Sequence, residues 1–382
     1  MEIYTVKEGD TVYSIAKTLG IGTERLIRDN GIEDTQYLKE GKALVILRPL
    51  TVKSIKTGTD LLEIALNNNT TLNMLYRNNP RLAGKLKAES DDIITLKYNT
   101  EKLGKLSTNA CAYPDIDKNV LTMTLSYLTY LTVMGARVSE AGEMITGDDS
   151  ETVELARYYG TSPIMHISII NDENVGARLI GDIENTLISK RYDGVNIYFG
   201  DLNARKIDFC KKLKEVCNSR GKVLFLTSKS DMTNNVSVDY SDGITLLPSD
   251  SLGFSRDNFV NITANMYLPI RGSCVDFILN ANGDLTDPTV LSYTASNLLV
   301  NDTDSQIMYD ESYNYSYFEY TDKAGNQHKA LTDDPKSIYW ALKRACIQSW
   351  SGITVWNIEK FCPYLWSVIN TNVDIVRTGD ND

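Results

Sequence analysis

Carboxylates are the side chains that could do most of the chemistry in this chain of 382 residues, which has 50 Asp and Glu residues. Its only histidines are His166 and His328, too far apart in sequence to favour a Ser-His-Asp or Cys-His arrangement. The six cysteines form no Cys-x-x-Cys pair: Cys111, Cys210, Cys217, Cys274, Cys346 and Cys362. That spacing supports neither a zinc site nor a disulfide framework, and predicts buried reduced thiols. We therefore expect no metal and no cofactor, and any acid–base chemistry should come from carboxylates.

The charge and hydropathy of the chain argue against nucleic acid as a partner and against a membrane span. Its net charge is −11 and its pI is near 4.9, with most of the acidity after residue 97. Nucleic-acid binding depends on Lys and Arg displacing counterions, so we do not expect it. No apolar run approaches the length of a membrane span. The N-terminal residues 1–10 lack the basic and apolar regions of a secretory signal, which predicts synthesis in the cytoplasm without a signal peptide.

The elements that would position these side chains begin with an internal repeat. Residues 4–47 read as strand, turn, helix, helix and strand, and residues 52–96 repeat that order. Asp10 and Thr11 stand where they would cap the first helix. The sequence therefore predicts two βααβ modules, over residues 1–49 and 50–98.

The opening of the first repeat resembles the LysM module, whose signature is Tyr-x-Val-x-x-Gly-Asp-Thr. Residues 4–11 read Tyr-Thr-Val-Lys-Glu-Gly-Asp-Thr, and residues 58–60 of the second repeat carry a transposed Gly-Thr-Asp. The resemblance implies binding of peptidoglycan or another N-acetylglucosamine glycan between the loop after the first strand and the loop after the second helix. Carried over by position, the implied groove residues are Gly9, Asp10, Thr11, Asn30 and Ile32, with Gly58, Thr59, Asn78 and Asn79 in the second module. Helix capping alone would also explain Asp10 and Thr11.

The rest of the chain alternates short apolar strands with helical stretches. The candidate strands are 106–112, 128–134, 164–170, 194–199, 223–227, 243–247, 274–279 and 352–356. Continuous apolar runs of this kind indicate parallel strands covered on both faces, and eight of them predict an α/β fold with a (β/α)₈ TIM barrel over residues 105–375. Residues 295–335 break the alternation with a strand–turn–strand pattern, which predicts a small α+β insertion. Its tyrosines are a sugar-stacking platform or ordinary interface aromatics: Tyr313, Tyr315, Tyr317 and Tyr320.

Residues 192–200, Tyr-Asp-Gly-Val-Asn-Ile-Tyr-Phe-Gly, resemble the fourth-strand motif of family-18 glycoside hydrolases, Asp-Gly-x-x-x-Asp-x-Glu. Four other segments resemble the spore-cortex N-acetylglucosaminidases of that family, the SleL or YaaH type: residues 128–132, 309–311, 317–322 and 351–356. Those enzymes also have two LysM modules before a barrel with an α+β insertion. The resemblance therefore covers nearly the whole chain, including the order of its domains.

The resemblance also shows what the motif has lost. In the family, the final Glu protonates the glycosidic oxygen and the Asp two residues earlier orients the substrate's N-acetyl group, which acts as the nucleophile. Gly200 and Tyr198 occupy those two positions here. Ser249 replaces the tyrosine of the sixth-strand motif, although Asp250 remains. The remaining motif positions are Asp193 and Asn196, and Trp356 is retained as a barrel residue that could contact sugar.

These departures predict a pseudoenzyme: a non-catalytic protein that binds peptidoglycan through LysM modules and uses its barrel as a scaffold. A spore layer and a phage tail or tail-like particle both suit such a protein, with protein partners in a coat, cortex, tail or baseplate assembly. The alternative is an active peptidoglycan N-acetylglucosaminidase whose acid is Asp201 or Asp250. Strand alternation predicts that Asp201 points away from the barrel mouth. A third hypothesis is a lectin-like barrel that holds sugar through Trp356 without cutting it.

Overall fold

The first βααβ module has its own hydrophobic core. The structure, a computed structural model, describes residues 1–32, 38–228, 240–247, 265–360 and 362–377, apart from the side chain of residue 172. The module consists of β1 (Glu2–Thr5), α1 (Val12–Leu19), α2 (Thr23–Asn30) and β2 (Ala43–Ile46), and β1 pairs antiparallel with β2. Val6, Ile15, Leu26 and Leu44 pack between the helices and the two strands. The apolar residues recur at helical spacing in α1, as the sequence predicted.

The second module has the same order but shares its core with the barrel. It consists of β3 (Pro49–Ile55), α3 (Leu61–Asn67), α4 (Leu72–Asn78) and β4 (Asp92–Tyr98), with β3 and β4 antiparallel. Ile64, Leu75 and Ile94 belong to the same continuous cluster of buried side chains as Leu121 and Trp366 of the barrel. The second module is therefore built into the main core, whereas the first is largely separate from it.

Eight parallel strands close into a barrel. Its first part consists of β5 (Gly104–Ala112), α5 (Lys118–Leu125), β6 (Tyr130–Val138), β7 (Met144–Ile145), α6 (Ser150–Tyr158), β8 (Ser162–Ser168), α7 (Ala177–Ser189), β9 (Gly194–Tyr198), α8 (Ala204–Ser219), β10 (Val223–Ser228), β11 (Gly243–Leu246) and β12 (Met266–Ile270). The inserted part that follows contains β13 (Cys274–Leu279), β14 (Leu285–Leu291), α9 (Tyr293–Asp302), β15 (Met308–Asp310), β16 (Tyr315–Thr321) and β17 (Gln327–Thr332). The last elements are α10 (Pro335–Ile347), β18 (Gly352–Val355), α11 (Leu365–Asn372) and β19 (Val373–Val376).

The barrel strands follow the order β5, β6, β8, β9, β10, β11, β12 and β18, and β18 pairs with β5 to close the sheet. β19 adds a parallel strand to the start of β5. The predicted TIM-barrel architecture is thus confirmed. Inside it, a layer of aromatic side chains fills the end at which the strands begin, where Tyr130 and Tyr267 pack on Phe225.

The seventh barrel strand differs from the prediction. Residues 274–279 do not enter the barrel, because they form β13 and pair antiparallel with β14 and β17 in a five-stranded sheet. β12 takes the seventh place and pairs in parallel with β11 and β18. Both segments are continuous apolar runs, so their composition does not distinguish them. The inserted sheet consequently begins at Cys274, earlier than the predicted start at residue 295.

Both modules pack against the barrel half of the molecule. In the first module, the main-chain oxygen of Asn30 accepts a 2.8 Å hydrogen bond from the Tyr293 hydroxyl on α9, and Lys39 forms an ion pair with Asp304. In the second, the Tyr127 hydroxyl donates to the main-chain oxygen of Arg77 at 2.7 Å. Within the described ranges, no helix has the length and apolar character needed to cross a membrane.

Candidate functional site

In the opening loops of the two modules, Asp and Thr exchange positions but have the same two roles: one accepts a main-chain N–H of the turn and the other caps the first helix. In the first module the Lys7 main-chain N–H donates to Asp10 Oδ2 at 2.8 Å, and Thr11 caps α1 with a reciprocal Ser14 bond. In the second, the corresponding main-chain N–H, that of Lys56, donates to Thr59 Oγ1 at 3.2 Å, and Asp60 caps α3. Each position needs only an oxygen acceptor, so Asp and Thr can exchange places without changing the turn.

Asn30 and Asn79 each connect the second helix of their own module to its last strand. Asn30 is 1% exposed, and its amide donates to the main-chain oxygens of Leu26 and Val45 while accepting the Val45 N–H. Asn79 makes the same three bonds with Leu75 and Thr95. Neither amide is accessible to a glycan, because each is buried and bonded to main-chain groups of its own helix and of the last strand.

We expect Asn30→Ala to destabilise the first module by about 2–3 kcal/mol, since it leaves the buried carbonyl and N–H of Val45 without their side-chain partner. Asn79→Ala should have a similar effect on the second. The measurement is thermal unfolding combined with limited proteolysis of each variant. Asn67→Ala is the matched control, because Asn67 is exposed at the end of α3 and should change stability by less than about 0.5 kcal/mol. Equal stability of all three variants would contradict this structural role of Asn30 and Asn79.

The other groove residues divide into accessible and buried sets. Ile32 is buried in the module core, and Asn78 accepts a 3.0 Å hydrogen bond from Asn370 on α11. The exposed or half-buried residues all belong to the loop after the first strand: Gly9, Asp10, Thr11, Gly58 and Thr59. Tyr13, on the first turn of α1, is 67% exposed and was missed by sequence reasoning. The helical spacing of Val12, Ile15 and Ala16 already placed it on the outer face.

A layer of neutral polar side chains fills the middle of the barrel. Thr227 Oγ1 donates to Asn196 Oδ1 at 2.8 Å, and Asn196 Nδ2 donates to Thr245 Oγ1 at 3.3 Å. On the opposite strands, Thr132 donates to Asn109, whose amide donates to Thr354. Asn196, at a degenerate motif position, is therefore fully buried and held by hydroxyl groups.

His166 belongs to the same layer, and the sequence-based expectations did not place it there. In the β8–β9 register it lies beside Asn196, and its Nε2 is 3.4 Å from Ser168 Oγ. Burial lowers the pKa of His166 to about 4, so the ring is neutral near pH 7. Period-two alternation through residues 164, 166 and 168 was the signal that could have found it. His328 lies elsewhere, in the inserted sheet, where Nδ1 is 2.9 Å from Asp276.

At the two positions of the missing carboxylates the structure has a phenol and a left-handed glycine. Tyr198 ends β9 and is half-buried. Gly200 has φ +79°, a conformation that side chains with a Cβ rarely adopt. Among the described residues, a Cβ built on Gly200 would have only the Tyr198 hydroxyl within 4 Å, at 3.9 Å. The backbone at the acid position is thus unfavourable for a residue that has a Cβ.

The neighbouring aspartates are engaged in ion pairs. Asp193 precedes β9, at the end opposite Gly200, and its carboxylate is 2.7 Å from Arg157 and 3.4 Å from Lys222. Asp201 is 68% exposed and lies 2.5 Å from the ammonium of Lys206, a buried residue of α8. The two carboxylates therefore bind cations of the surrounding elements.

Trp356 is buried, and its indole N–H donates to the main-chain oxygen of Leu246 at 3.1 Å. The ring thus ties the end of β18 to the end of β11. Ser249 and Asp250 lie outside the described residues. In the inserted sheet, Tyr315 is buried and the Tyr320 hydroxyl donates to Asp276 at 2.7 Å, so these two tyrosines stabilise the sheet.

The described cysteines are unbonded, and five of the six are buried. Burial raises the pKa of Cys210, Cys217 and Cys362 to about 12, which keeps these thiols protonated. Where the structure describes the chain, no three His, Cys, Asp or Glu side chains come together as metal ligands.

The described residues thus form two βααβ modules ahead of a (β/α)₈ barrel with an inserted sheet. The LysM domain family matches residues 4–47, which is the first module. A relative named as a sporulation-specific glycosylase, YdhD of Bacillus subtilis strain 168, is 21% identical over 255 residues. That alignment spans 62% of this chain and 60% of the relative's length.

Solved structures share the complete architecture. The spore cortex-lytic enzyme SleL of Bacillus cereus has a TM-score of 0.73 at 19% identity, over 99% of this chain and 100% of that one. SleL of Bacillus megaterium QM B1551 has a TM-score of 0.75 at 17% identity, over 98% and 99%. A chitinase from Chromobacterium violaceum covers 69% of this chain and 98% of its own, with a TM-score of 0.59 at 13% identity. At such identities the similarity establishes the fold.

Proposed function

We propose that this protein binds peptidoglycan through its first module and that its barrel is a non-catalytic scaffold in a spore layer. The main observation is the state of the barrel site, where Tyr198 and a left-handed Gly200 stand at the carboxylate positions. Glycine has no proton to donate, and a phenol with a usual pKa of about 10 is a poor acid near neutral pH.

The surroundings of the site support the same conclusion. The barrel interior next to the position of the missing acid has a neutral hydrogen-bond network. In it, the side chains of Asn196, Thr227 and Thr245 hydrogen-bond to one another. Asp201, the alternative acid, is paired with Lys206 on α8. An acid held by a cation of the helix layer would have to leave that ion pair to reach a substrate in the barrel mouth.

The first module is the better candidate for glycan binding. It matches the LysM family, it has a separate core, and its opening loop is exposed. The second module has lost part of its corresponding surface, because Asn78 bonds to Asn370 of the barrel. Tyr13 adds an exposed aromatic ring two residues after Thr11, which suits stacking on a sugar.

The names of the relatives favour a spore layer over a phage tail. YdhD is named for sporulation, and both SleL structures are described as spore cortex-lytic enzymes. Detection of the protein in purified spores, and not in tail-like particles from the same culture, is the expected result.

Tyr13→Ala should lower the affinity of the full-length protein for purified peptidoglycan by about tenfold, measured by co-sedimentation. That factor corresponds to about 1.4 kcal/mol, which is within the range of an aromatic contact. Tyr158→Ala is the matched control, since Tyr158 is 72% exposed at the end of α6 and outside the first module. Its binding should equal that of the natural protein. Failure of the natural protein to sediment would overturn the proposed function, while equal loss in both variants would argue against a specific groove.

A further inference from the structure

A small cavity lies between β12, α10 and the turn that joins β15 to β16. Its lining includes Leu268, Arg271, Asn314 and Trp340, and its volume is about 40 Å³. One water needs about 10–15 Å³ on this measure, so the cavity has room for about three non-hydrogen atoms. That volume is too small for a sugar ring but suits one small planar group.

Among the residues that the structure describes, two buried donors in this lining have no partner. The Arg271 side chain is 8% exposed and its Nη2 makes no hydrogen bond, and Nδ2 of the buried Asn314 also makes none. An unpaired buried donor is destabilising, because its lost hydrogen bond to water is not replaced. Two of them at one cavity indicate that it receives a group with oxygen acceptors.

Neighbouring residues leave these donors available. Asp333 also lines the cavity, but its carboxylate binds Arg271 at two other points, with Oδ1 3.6 Å from Nη1 and Oδ2 accepting the Arg271 main-chain N–H at 2.6 Å. Asn314 has φ +57°, and its Oδ1 accepts from the Tyr309 hydroxyl at 3.5 Å. Because the oxygen of the amide is engaged, its nitrogen is the end that remains for a ligand.

We infer that this cavity binds the carboxylate of a small acidic ligand, with Arg271 Nη2 and Asn314 Nδ2 donating to its oxygens. A carboxylate has three non-hydrogen atoms and four acceptor sites, and it is the usual partner of an Arg guanidinium. Tyr313 and Trp340 are half-buried in the same lining and can contact the apolar part of the ligand beside its carboxylate.

The carboxylate could come from a peptide C-terminus or from a hydroxy acid, and matched probes separate the two. Isothermal titration of the full chain would use N-acetylalanine and lactate, with N-acetylalanine amide and lactamide as controls. We expect at least one acid to bind in the millimolar range and neither amide to bind. The acid that binds more tightly identifies the source.

Asn314→Asp is the informative variant, because Asp tolerates the same positive φ and replaces a donor by a charged acceptor. It should weaken binding of the acid at least tenfold. Arg271→Gln should do the same if it folds. The inference is overturned if neither acid binds, which would leave only water in the cavity, if the amides bind equally well, or if Asn314→Asp binds unchanged. Peptidoglycan sedimentation should be unaffected by Asn314→Asp, so this inference and the proposed function fail separately.

Discussion

The purified protein should release no soluble saccharide from spore-cortex peptidoglycan. A general acid contributes a factor of about 10²–10⁴ to such a reaction, and the carboxylate that orients the N-acetyl group is also missing at Tyr198. Mass spectrometry of the supernatant after incubation is the measurement. An active chitinase-type hydrolase incubated with the same substrate confirms that the material can be cut.

Gly200→Glu alone should also be inactive. The backbone at Gly200 has φ +79°, so a glutamate there would cost about 1–2 kcal/mol and would not be held in an extended strand conformation. The double variant with Tyr198→Asp restores both carboxylates and tests whether their loss is the whole defect. Saccharides released by the natural protein would contradict the pseudoenzyme proposal, and Asp201→Asn would then show whether Asp201 supplies the proton.

Gly41→Ala should detach the first module from the inserted sheet. A Cβ at Gly41 would lie 1.9 Å from the main-chain oxygen of Ile307, and the backbone there has φ +86°. Overpacking of this kind costs about 1–3 kcal/mol in addition to the backbone strain. Small-angle scattering should show a larger radius of gyration, and limited proteolysis should cut between the first module and the rest of the chain.

Gly58→Ala is the matched control for that experiment. Gly58 has φ +82° in the second module, but a Cβ there would have no atom of the described part of the chain within 4 Å, apart from its chain neighbours. The two changes therefore share the backbone strain and differ in the clash. If Gly58→Ala opens the molecule as much as Gly41→Ala does, the contact with Ile307 does not hold the first module in place.

Local sequence patterns determined most of the secondary structure and the kind of domains. Helical spacing at Val12, Ile15 and Ala16, together with the cap at Thr11, was enough to predict α1. Apolar strands alternating with helices predicted the barrel, since parallel strands are covered on both faces. The absence of a carboxylate at residues 198 and 200 is also a property of the sequence, because it depends only on which residues are there.

The tertiary structure decided which of these residues are free to act. Asn30 and Asn79 look like groove residues in sequence, but their buried amides bond to main-chain groups of the last strand of each module. The seventh barrel strand was predicted at 274–279 instead of β12 for a similar reason. Both segments are apolar strands, and only the folded chain decides which strands they pair with. The unpaired donors of Arg271 and Asn314 come from segments more than forty residues apart. Sequence specifies local conformation through near neighbours, whereas burial and pairing depend on contacts that only the folded chain creates.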